Sequence, residues 1–109
     1  MSTAKVQFDS IRTLAFGSIS GTYASVGGVT AVRARMACIT NNTDADMYFT
    51  IDTAVNQIIV PAGSFKLWDF QSNMNNRNDD VYVLEIGVQF SVKQISAPSS
   101  GDVYIELVY

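Results

Sequence analysis

General acid–base chemistry near neutral pH draws first on histidine, and the 109 residues of this chain include none. The commonest side-chain base and the commonest transition-metal ligand are therefore missing. Ser–His and Cys–His nucleophile pairs cannot be assembled within the chain. Cys38 is the single cysteine, which excludes an internal disulfide and a thiolate zinc site. It lies in the apolar stretch Ala34–Thr40. A buried free thiol acting as a small hydrophobe is the expected role there, with a reactive or cross-linking thiol as the alternative. Asp44, Asp46 and Asp52 offer hard oxygen donors of the kind calcium takes. They lack the acidic alternation, central glycine and distal glutamate of a calcium loop, and an Asn/Asp-rich turn accounts for them. The two glutamates, Glu85 and Glu106, fall on the polar sides of strand segments, so paired-carboxylate hydrolysis is not expected. These residues point away from an enzyme and call for no cofactor.

Charge narrows the partners. Seven Lys and Arg against ten Asp and Glu give a net charge of −3. The basic residues are scattered, so no phosphate track forms and direct nucleic-acid binding is not expected. No apolar run approaches the ~18 residues of a membrane span, and the opening MSTAKVQFDS lacks the apolar stretch of a signal peptide. The expectation is a chain made without export and without a membrane partner. Six Phe, five Tyr and one Trp exceed what a minimal core needs. Tyr48, Trp68 and Tyr104 fall opposite strong core positions and, with Tyr23, are the candidate interface residues, because Tyr and Trp bury large area while keeping a polar tip. Core packing is the competing explanation for them.

The elements that would position these residues are strands. Apolar and polar residues alternate with period 2, and no segment keeps a 3.6-residue stripe. Val103, Ile105, Leu107 and Tyr109 share one face of the last strand. Phe90 and Val92 share one face of Gln89–Ile95, and the Ser96–Gly101 turn suggests a hairpin between the two. Ala34–Thr40 and Met47–Ile51 form a second pair across Asn41-Asn42-Thr43-Asp44, which reads as turn chemistry. Pro61 interrupts Ile58–Val60, which should lie at an edge or stop there. In Phe65–Phe70, Phe65, Leu67 and Asp69 oppose Lys66, Trp68 and Phe70. Gln71–Asp80, with four asparagines and two aspartates, reads as an exposed loop, Val81–Ile86 as a short strand and Gly87 as a bulge or bend. Residues 1–32, punctuated by glycine, read as an N-terminal arm with short strands that packs on a neighbour, and residues 33–109 as the core. Seven or eight short strands with frequent turns predict an all-β, antiparallel β-sandwich with jelly-roll connectivity.

Three segments in order, ITNNTDADMYFTID, IIVPAGSFKLWDFQSN and QFSVKQISAPSSGDVYIELVY, resemble the small β-sandwich structural proteins of tailed bacteriophage virions. The pattern is an Asn-rich turn before a strand ending in Asp, then a Pro-Ala-Gly-Ser turn before a strand ending in Asp-Phe. A Gln-Phe-x-Val-Lys strand and a Gly-x-Val-Tyr strand close it. Residues 33–109 carry the match. The resemblance implies a non-enzymatic virion component assembled in the host cytoplasm: a capsid decoration (cement) protein that self-associates, binds the major capsid protein and stabilises the shell. A neck or tail ring component of the same fold is the alternative. A carbohydrate-binding sandwich, with Trp68 or Tyr48 stacked on a sugar, is the reading from a different class.

Overall fold

The computed structural model describes residues 5–52, 55–70 and 82–109. Among these residues eight strands run in chain order as β1 (Arg12–Ala15), β2 (Ala24–Ser25), β3 (Met36–Thr43), β4 (Met47–Thr50), β5 (Ile58–Val60), β6 (Ser64–Asp69), β7 (Ser91–Gln94) and β8 (Gly101–Val108). A 3-10 turn, Phe16–Ser18, follows β1. One sheet has the order β1-β8-β3-β6 and the other β2-β7-β4-β5, and every pairing is antiparallel. First pairs with last, second with seventh, third with sixth and fourth with fifth. That winding is a jelly roll, so the all-β sandwich read from the sequence is the observed fold.

The core follows from alternation. Val103, Ile105 and Leu107 of β8, Ala37 and Ile39 of β3, Met47 and Phe49 of β4, and Phe90 and Val92 beside and within β7 are all buried between the sheets. These apolar groups occupy every second position, as on a pleated strand packed on one face, while Thr50 and Ser91, paired on the other face of β4 and β7, are buried as well. Burying apolar area at about 25 cal/mol per Å² is the main favourable term holding the two layers together.

The pairing of elements differs from the sequence expectation in two places. β7 and β8 are not a hairpin: β7 pairs with β2 and β4, whereas β8 pairs with β1 and β3. β3 and β4 likewise lie in opposite sheets. The Ser96–Gly101 and Asp44–Asp46 segments are arches between layers. Among the described strands, only β4 and β5 are consecutive partners within a sheet.

The Asn-rich turn is also displaced. Asn41, Asn42 and Thr43 belong to β3, and Asn41 is fully buried. Its Nδ2 donates to the carbonyls of Ala45 at 2.8 Å and Val60 at 2.9 Å, while its Oδ1 accepts from the Thr43 amide and hydroxyl. The amide thus pins the β3–β4 arch to the end of β5. A buried amide is tolerable because its donors and its acceptor are all matched.

The division at residue 32 does not separate an arm from a core. β1 is an edge strand of one sheet and β2 an edge strand of the other, and Ile19 and Val26 belong to the buried cluster. Thr30, 1% exposed, donates from its hydroxyl to the Glu85 carbonyl and accepts from the Val88 amide. Before β1, Gln7 and Tyr109 exchange two backbone hydrogen bonds, and Asp9 N–H donates to the Leu107 carbonyl. Of the expected strand Val81–Ile86, the described part forms only an isolated bridge between Ala34 and Leu84. Gly87 does form a bend, with φ of +86°. The Gln71–Asp80 segment lies outside the described residues.

Candidate interaction surfaces

The two sheets turn different outer faces to solvent. On the β1-β8-β3-β6 sheet, β3 sets the register: Cys38 lies between Leu67 and Glu106, and Thr40 between Phe65 and Tyr104. Ala37 and Ile39 point inward and are buried, so Cys38 and Thr40 point outward with their partners. Phe65 is 66% exposed and Leu67 55%. Phe8, bridged to Val108, is 78% exposed, and Ile11, just before β1, is 62% exposed. Four large apolar side chains therefore stand on or beside one outer face. Its carboxylates include Glu106 and Asp102, and the Tyr104 hydroxyl donates to Asp102 Oδ2 at 3.2 Å. That hydrogen bond, reinforced by the carboxylate charge, pushes the Tyr104 phenol above its ordinary range.

This arrangement reverses the expected faces of β6. Trp68 pairs with Ala37 and is partly buried against the core with Phe70. The small Ala37 leaves room for the indole, while Phe65 and Leu67 take the outside. Both faces of Phe65–Phe70 are apolar, so alternation alone cannot orient the strand; its register against β3 does. Cys38 is likewise partly exposed rather than fully buried.

On the β2-β7-β4-β5 sheet, Tyr48 pairs with both Ile59 and Lys93. The Lys93 ammonium lies 5.0 Å from the Tyr23 ring centroid and 5.4 Å from that of Tyr48, within the range of a cation–π contact. Tyr23 donates its hydroxyl to Asn56 Oδ1 at 2.7 Å, which fixes one wall of the cradle. Burial, with a smaller contribution from Tyr48, raises the Tyr23 phenol above its ordinary range. Beside the cradle is a cleft of about 520 Å³ lined by Tyr23, Ser25, Gly87, Gln89 and Ser91 among others.

The four candidate aromatics thus do not form one patch. Tyr23 and Tyr48 share the Lys93 cradle, Tyr104 lies on the opposite outer face, and Trp68 packs on the core. The two aromatics considered for sugar stacking are separated: Trp68 is partly buried against the core, and Tyr48 is faced by Lys93. Sequence reasoning passes over Phe8, Ile11, Phe65 and Leu67 as surface groups. The only signal for the last two is that Phe65–Phe70 is apolar on both faces.

The acidic candidates act as latches. Asp44 accepts from the Ser99 amide at 2.8 Å and from the Ser99 hydroxyl. Those bonds hold its carboxyl below the ordinary 3.8. Asp46 accepts from the Ala62 amide at 2.9 Å, and Asp52 N–H donates to the Thr50 hydroxyl within the turn after β4. Asp44 and Asp46 thereby tie the β3–β4 arch to the β7–β8 and β5–β6 connections. Among the described residues, no group of three or more His, Cys, Asp or Glu gathers as a metal cage would require. Glu85 lies beside Arg33 at 2.8 Å, both well exposed, and such a surface pair contributes little. Every buried side-chain polar atom described has a hydrogen-bond partner.

No protein-family model matches the sequence, and no curated protein matches it. Among solved structures, the fold is similar to that of a protein described in the words "Bacillus endospore appendages form a novel family of disulfide-linked pili". The likeness has a TM-score of 0.50 at 14% identity, covering 100% of this chain and 96% of that one. At that identity the likeness establishes shared architecture: an eight-stranded antiparallel sandwich.

Proposed function

We propose that this chain is a non-enzymatic structural subunit that works in many copies, as a capsid decoration protein of a tailed-phage virion. One observation carries the structural part of this reading. Phe8 and Ile11 at the β1 edge, and Phe65 and Leu67 on β6 at the opposite edge, stand exposed on or beside one outer face of the sandwich, apolar groups that a partner spanning the sheet would cover. The choice of a capsid rests on the sequence resemblance in residues 33–109. A cement protein needs no catalytic group. It covers joints between larger subunits with roughly 800 Å² per contact, and repetition over the shell turns weak contacts into strong attachment.

A ring or fibre component is the second reading, and the similarity to a protein described from pili favours it. Copy number separates the two. Cryo-electron microscopy of virions from the encoding phage is expected to place the protein on the capsid in hundreds of copies, whereas about six or twelve copies would indicate a symmetric ring. Absence from purified particles would overturn the virion assignment.

A further inference from the structure

The two outer faces of the sandwich are opposites in charge and in relief. No lysine or arginine occupies an outward position on β1, β8, β3 or β6, where Glu106 and Asp102 supply negative charge. The outward positions of β2, β7, β4 and β5 contain no Asp or Glu and include Lys93. The first face projects Phe65 and Leu67; the second is indented by the 520 Å³ cleft beside the Lys93 cradle.

We propose that the outer face of the β1-β8-β3-β6 sheet docks on the outer face of the β2-β7-β4-β5 sheet of a second copy, with Glu106 meeting Lys93 and Phe65 entering the cleft. The inference deepens the structural-subunit reading and rests on it. Face-to-like-face dimers are disfavoured. Two acidic faces would bring the Glu106 and Asp102 pairs together, and two basic faces would oppose Lys93 to itself and leave both clefts unfilled. Like charges at an interface suppress the wrong pairing. A contact between unlike faces is heterologous, so each copy can bind two neighbours and the assembly closes as a ring or grows as a chain. The strands of the first face hold 4, 8, 8 and 6 residues and those of the second 2, 4, 4 and 3, so at ~4.8 Å between strands and ~3.3 Å per residue the strand-built contact spans roughly 200 to 400 Å² in projection. That is below the ~800 Å² per partner of a standard interface, so each junction should be weak, reversible and salt-sensitive.

A charge-swap experiment by sedimentation velocity at low ionic strength tests this. The wild-type protein is expected to form larger species as concentration rises. Glu106→Lys alone and Lys93→Glu alone should each associate at least about tenfold more weakly. An equimolar mixture of the two variants should regain association, because each junction between unlike variants again sets Lys against Glu. Phe65→Ser should abolish association while keeping the wild-type circular dichroism spectrum. Cys38, between Leu67 and Glu106, serves as a footprint: alkylation should be fast in the monomer and slow in the assembly. A wild-type protein that stays monomeric throughout, an unrestored mixture, or Glu106→Lys assembling like wild type would each overturn the stacking. Association without particle binding would instead overturn the virion reading and leave the stacking intact.

Discussion

Gly101 opens β8 with φ of +94°, and a Cβ placed there would collide with the Asn42 carbonyl oxygen across the β3–β8 ladder. Gly87 has a similar φ of +86° but open space where its Cβ would be. The pair separates backbone preference from steric contact. Gly87→Ala should cost about 1 kcal/mol, the left-handed penalty alone. Gly101→Ala should cost about 3 kcal/mol or more, since backbone must also move. Urea midpoints of the two variants measure the difference. Asp44 makes a prediction of opposite character, since it acts through protonation. Its hydrogen bonds from Ser99 hold the folded-state pKa below the ordinary 3.8. The latch therefore stabilises fully above that value and is lost as pH falls through the lower folded value. Asp44→Asn should be less stable than wild type near neutral pH, and the gap should close on acidification below 3.8. A gap that stayed constant with pH would show that the Asp44 charge is not what holds the arch.

At the scale of elements, residues 12–25 supply one edge strand to each sheet. A chain beginning at residue 33 would expose β8 and β7 as new edges and remove Ile19 and Val26 from the core. It should fail to give a dispersed NMR spectrum; a folded product would restore the arm-and-core division. Strand content is legible in the sequence because one face of each strand is buried: the alternation in Val103, Ile105 and Leu107, or Met47 and Phe49, marks the core side directly. Pro61 places Ile58–Val60 at an edge, and it lies there. Pairing is less legible. A polar connection such as Ser96–Gly101 can close a hairpin or arch between layers, and local residue types do not distinguish them. β6 is misoriented by its pattern because both its faces are apolar, so only its cross-strand partners decide. Asn41 reads as turn chemistry because its burial depends on Ala45 and Val60, partners that no local pattern reveals. Of the candidate surface, residue type finds Tyr23, Tyr48 and Tyr104 but does not single out Phe65 and Leu67.

Across the whole molecule, the jelly-roll winding sets the first strand beside the last. Gln7 bonds to Tyr109 at the open end of that pair, and Ala15 sits opposite Asp102 at the other end. Tension applied between residues 7 and 109 would therefore part β1 from β8 one rung at a time, like a zip. Load entering through the flat sides of the sandwich would instead be shared by many contacts at once. Single-molecule pulling from those two positions should show peeling at low force; a high, abrupt rupture would contradict the zip geometry. A subunit made this way yields when drawn apart by its two ends and resists when pressed across its flat sides.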